Sequence, residues 1–122
     1  DNLLPGPNGL LLMGLAASGV DPTTFAGRNW ITSLQASYQS ATGAYSTTAQ
    51  AGFRSGAASA VNQSLAILGL SMSGEPVPEK AVTFLISLQE PNGSWLNSVD
   101  VTGYAVLALL ATGQVDSTNA AV

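Results

Sequence analysis

Cysteine and histidine are both missing from these 122 residues. Their absence removes disulfides, thiolate nucleophiles, Ser-His-Asp and Cys-His relays, and nearly every zinc site. Cations are scarce: Arg28, Arg54 and Lys80 stand against seven acidic residues, for a net charge of −4. Neutralising phosphates takes clustered cations, so neither a nucleic acid nor an anionic membrane surface is expected as a partner. Charged residues of both signs make up only 8% of the chain, where about a quarter is usual. Such a surface has little electrostatic solubility and suits an extracellular or cell-surface setting, or burial against neighbours. Long hydrophobic runs are lacking as well. The longest, residues 10–20 and 104–112, are too short to span a bilayer, so no membrane insertion is expected, and no signal peptide is recognisable. The acidic side chains are scattered through linkers and helix ends, so no metal and no cofactor is expected.

What is present is apolar and periodic. Hydrophobic residues make up 46%, which argues against disorder. Three segments end alike: LLLMGLAASG at 10–19, SLAILGLSMSG at 64–74 and YAVLALLATG at 104–113. Each has helical spacing and closes on a glycine, where a left-handed residue ends a helix. Two others, NWITSLQ at 29–35 and VTFLISLQ at 82–89, finish in Ser-Leu-Gln and follow proline-bearing linkers. The pattern predicts five helices, at about 8–18, 24–37, 57–73, 78–89 and 99–112. Gly74 to Gly113 is 39 residues and Gly19 to Gly74 is 55; the excess falls in 38–56, a Ser/Thr/Ala/Gly-rich connection with no helical face. A two-helix unit of about 40 residues implies stacked helical hairpins, because neither helix of a pair can bury its apolar face alone. The expected fold is all-α: one repeat domain over 1–122, about two and a half hairpins forming an open arc of an α/α toroid.

Gln89-Glu90-Pro91-Asn92-Gly93-Ser94-Trp95 matches the QW motif, a Gln followed shortly by Gly-X-Trp. In this the chain resembles the terpene-cyclase and prenyltransferase superfamily, the squalene cyclases above all. A looser echo has Gln35, then Gly43-Ala44-Tyr45, with Tyr in place of Trp. The resemblance covers most of residues 8–113. It implies toroidal repeats tied together by Gln89, Gly93 and Trp95, and by Gln35, Gly43 and Tyr45, away from any catalytic cavity. A glutamine at a helix end can serve orphan backbone groups on both sides, and an indole over it would exclude water.

The same resemblance supplies a test for chemistry. Class II cyclases protonate their substrate with Asp-X-Asp-Asp at the start of an inner helix; here Ser98-Val99-Asp100-Val101-Thr102 keeps Asp100 alone. General acid work on an alkene needs a carboxyl group tuned by neighbours, so Asp100 is a weak catalytic candidate and a better partner for the helix dipole. The zinc ligands of the prenyltransferases and the thioester cysteine of the related complement domains are absent. Elsewhere, Trp30, Phe84 and Phe25 suit helix-packing core. Tyr104 suits a cavity-facing position, and Tyr38, Tyr45 and Phe53 suit a contact surface for a glycan, a protein or a small hydrophobic ligand. Asn62 suits the start of a helix. The expected function is a non-catalytic extracellular repeat module for scaffolding, self-assembly or binding. Its expected partners are further repeats of its own chain or other copies of itself, as an oligomer or filament. The alternatives are a fragment of a terpene-cyclase-like enzyme or of a hydrophobic small-molecule carrier.

Overall fold

The computed structural model describes residues 3–46, 57–116 and 118–122, the side chains of 57–59 excepted. The chain is helical, and among the described residues there is no strand beyond two isolated bridges, Tyr38 to Tyr45 and Trp95 to Ser98. Five α-helices follow in order: α1 (Pro5–Ser18), α2 (Trp30–Gln35), α3 (Ala57–Met72), α4 (Glu79–Ser87) and α5 (Val99–Ala111), with a 3-10 turn at Phe25–Gly27 before α2.

Helix ends follow the sequence where glycine sets them. Gly19, Gly74 and Gly113 have φ of 70°, 79° and 73°, the left-handed conformation that only glycine adopts at little strain. Behind Gly19, the Val20 N–H returns to the Leu15 carbonyl; behind Gly74, the Glu75 N–H returns to that of Leu70. Both are the six-to-one bond that closes orphan carbonyls at a helix end.

Helix starts differ more. α1 begins at Pro5, three residues before the expected start, because a proline in the first turn lacks only an N–H that would be unpaired anyway. Its Gly6 N–H is capped from another helix, by Asn62 Oδ1 of α3 at 2.6 Å. Asn62 therefore lies inside α3 and serves the start of α1, which corrects its assignment to a helix start. The expected helix at 24–37 contracts to six residues. Ala26 and Gly27 take positive φ and break the backbone, and Asn29 then caps α2 by accepting from Ile31 N–H and Thr32 N–H. Phe25, on the broken turn, stays 41% exposed rather than entering the core. Trp30 and Phe84 are half-buried. Trp30 Nε1–H donates to the Phe25 carbonyl, and the Arg28 guanidinium lies 4.9 Å from the indole centroid.

The core sits around α3. α1 packs along one side of it and α5 along another, while α2 touches α1 and α4 touches α3. Every residue from 62 to 70 is consequently buried. α1 meets α3 backbone to backbone: a Cβ on Gly9 would lie 2.1 Å from the Leu65 carbonyl oxygen, and one on Gly69 would lie 2.4 Å from the Gly9 carbonyl oxygen. Two glycines thus set how close these helices come, and the shared core gathers Leu12, Leu34, Ile67, Leu70, Leu85, Trp95 and Leu109.

Candidate functional site

Two loops carry the residues that the sequence marked, and each is tied to the helix that follows it. In the second, residues 88–98, Trp95 is fully buried. Its indole N–H donates to the Leu85 carbonyl in the last turn of α4 at 2.9 Å, and its backbone N–H donates to Thr102 Oγ1 in α5, also at 2.9 Å. One residue therefore joins the end of α4 to the first turns of α5. Gln89 works beside it: Nε2 donates to the Gly93 carbonyl within the turn and to the Ala121 carbonyl of the C-terminal segment, both at 2.9 Å. Gly93 has φ 89° and open space around it, so glycine is required there by backbone conformation. Leu96 and Asn97 follow with φ of 58° and 50°, a left-handed pair that re-aims the chain into Ser98. Ser98 then caps α5 by accepting from Val101 N–H.

The first loop is clamped by a residue that sequence reading passed over. Gln63, on α3, is fully buried and uses both ends of its amide. Its Oε1 accepts from Tyr45 N–H at 2.8 Å; its Nε2 donates to the Gly43 carbonyl at 3.0 Å and to the Ala81 carbonyl of α4 at 2.9 Å. Gly43 and Tyr45 thus belong to a clamp, but Gln35 is not its glutamine. Gln35 is exposed, and its amide reaches only Glu75 Oε1, at 3.5 Å. No local signal set it apart, since Gln63 stands between Asn62 and Ser64 in the sequence.

Tyr38 and Tyr45 pair across the same loop, with centroids 5.3 Å apart and planes tilted by 50°. Tyr45 is 3% exposed. It is therefore an interior residue, which corrects its candidacy as a contact surface, and burial pushes its phenol well above the usual tyrosine range. Tyr38 is half-buried, and Phe53 lies outside the described residues. Tyr104 stands on α5 at 41% exposure.

Asp100 is exposed in the first turn of α5, two residues after the Ser98 cap. Its place is that of a dipole partner. Asp21 and Asp116 form a matched pair elsewhere: each accepts from the N–H and hydroxyl of the Thr two residues on, bonds that hold both carboxyls below the usual range. Among the described residues no three acidic side chains gather as a metal would require. Two grooves among the described residues are open. One of about 620 Å³ is lined by Glu79, Val82, Thr83, Ile86, Gln114 and Val115, and there the Gln114 amide is already donating to the Val77 carbonyl. Another, about 320 Å³, lies over the Trp95 turn, where Asn92, Ser94 and Asn97 bond one another. Neither of these two grooves converges polar groups on an enclosed volume. No family model, curated protein or solved structure matches the chain.

Proposed function

We propose that this chain is a non-catalytic module of helical-hairpin repeats, an arc of an α/α toroid that scaffolds, assembles or binds. The observation that carries this reading is the likeness of the two clamps. In each, the aromatic that follows a Gly-X pair, Tyr45 or Trp95, gives its backbone N–H to a side chain on the next inner helix, Gln63 or Thr102. Gln63 and Thr102 stand 39 residues apart, the same spacing as the capping glycines Gly74 and Gly113. The two aromatics stand 50 residues apart because the first loop is longer, but helix positions that recur at one spacing and hold the same backbone N–H are what stacked repeats require. The polar equipment of the loops is spent on holding neighbours, which leaves Asp100, exposed and without acidic companions, as the remaining candidate for chemistry. The scarcity of charge supports an extracellular or cell-surface setting.

The enzyme alternative is tested by incubating the chain with squalene and with geranylgeranyl diphosphate and following product by mass spectrometry. No turnover is expected. Turnover that disappears in Asp100→Asn would overturn this reading.

A further inference from the structure

The two flanking helices expose the positions through which they would meet one another. Stepping 55 residues from α1 to α3 aligns Gly19 with Gly74, and stepping 39 from α3 to α5 aligns Gly74 with Gly113. In this register α1 turns Gly6, Gly9 and Met13 into its packing with α3, and all three are buried or partly buried. Their counterparts on α5 are Asp100, Gly103 and Leu107, and all three are exposed, Leu107 at 57%. In the opposite direction, α3 turns Asn62, Leu65 and Gly69 toward α1, all buried. Their counterparts on α1 are Pro7, Leu10 and Gly14, and all three are exposed, Leu10 at 56%. Gly9 and Gly69 meet backbone to backbone, and a Cβ on Gly69 would lie 2.4 Å from the Gly9 carbonyl oxygen; Gly103 and Gly14 hold the same two places and have nothing within 4 Å.

A second observation falls on α1. Asn8 stands 55 residues before Gln63 and is 1% exposed, yet its Oδ1 has no hydrogen-bond partner. The equivalent acceptors on α3 and α5 each hold a backbone N–H, from Tyr45 and Trp95. A buried acceptor left unpaired is unfavourable unless something supplies a donor.

Resting on the repeat reading above, we propose that a second copy of this chain docks its α1 on the free face of α5, head to tail, with Gly103 of one copy against Gly14 of the next. The contact continues the α1–α3–α5 packing already present, and it is heterologous, so each copy keeps one free end and assembly proceeds by addition. Leu107 and Leu110 of one copy and Leu10 of the other are removed from water at the seam. The Gly6–Asn62 bond has no counterpart there, since Asp100 and Pro7 take those places. The seam is therefore weaker than the internal packing it copies.

Sedimentation of the 122-residue chain tests the seam. The weight-average mass is expected to reach at least about twice that of the monomer at roughly 100 µM. Gly14→Leu and Gly103→Leu each spoil one face at a position with room for the side chain in the monomer, and circular dichroism and melting verify that both fold. Each variant alone is expected to remain monomeric. Their equimolar mixture is expected to give one-to-one dimers, because each contributes the face the other has lost. A wild-type chain that stays monomeric would mean that something other than a second copy covers these faces, and it overturns the proposal. So does either single variant associating like wild type, or a mixture that remains monomeric while the wild type associates. A chain that neither associates nor turns over an isoprenoid sinks this seam and leaves the module reading standing; turnover dependent on Asp100 overturns the non-catalytic reading whatever the mass.

Discussion

Gln63 and Gln89 make a controlled comparison, because both are clamping glutamines and only one is fully buried. Replacing Gln63 by Ala strands Tyr45 N–H and the Gly43 and Ala81 carbonyls without water to take the place of the amide. A loss of roughly 2–4 kcal/mol is expected, read as a lower urea midpoint at unchanged slope. Gln89→Ala removes two bonds at a half-buried site that water can reach, and is expected to lose about 1 kcal/mol. Equal losses would mean that burial does not set the strength of the clamp. Tyr45 adds a pH dependence. Its phenol is raised above the unfolded value by burial, so the folded state holds the proton more tightly. The resulting stability is complete below about pH 10 and falls as pH rises above that value. Melting temperatures followed from pH 9 into the alkaline range should decline, and Tyr45→Phe should flatten the part of the decline that this phenol causes.

At the scale of helices, the glycines divide into two kinds that composition cannot tell apart. Gly9→Ala places a methyl group against the backbone of α3, so α1 must back away; a loss of roughly 3 kcal/mol is expected from overpacking. Gly14→Ala and Gly103→Ala meet open space in helical backbone and should raise the melting temperature of dilute protein, by roughly 0.5–1 kcal/mol in stability each. The reverse order would show that the α1–α3 approach is not set by Gly9. The same contrast explains what could be read in advance. α3 and α5 were legible because their apolar spacing ends on a left-handed glycine, a signal contained in a few adjacent residues. α2 was misjudged because the break at Ala26 and Gly27 sits between two segments that each look helical. Gln63 and Asn62 stayed hidden because their partners lie 18 to 56 residues away, beyond any local pattern. The tryptophan loop was legible since Gln89, Gly93 and Trp95 lie within one turn, although the indole N–H is spent on α4.

For the whole molecule, the balance between apolar ends and a nearly uncharged surface decides how copies meet. Each copy carries a net charge of −4, so the long-range force between copies is weakly repulsive, and salt screens it. The proposed seam is apolar and backbone-close, and salt has no ion pair to break there. Sedimentation repeated in about 0.5 M salt should therefore give an equal or higher mass at the same protein concentration. A steep fall in mass would point to a charged contact elsewhere on the surface. Asp100 is the acidic group placed at the proposed seam, where its charge tempers the association without directing it.

The Gln63 amide also governs the order in which the molecule opens. It grips the first loop through Gly43 and Tyr45 and the start of α4 through Ala81, from the middle of the most buried helix. None of these three segments can leave without stranding the other two, so loop, α3 and α4 open as one cooperative unit. Trp95 adds α5 to that unit, because its buried indole N–H is held by the Leu85 carbonyl of α4 while its backbone N–H is held by the Thr102 hydroxyl of α5. The clamp that is plain in the sequence hangs the last helix on a frame that the quiet one bolts together.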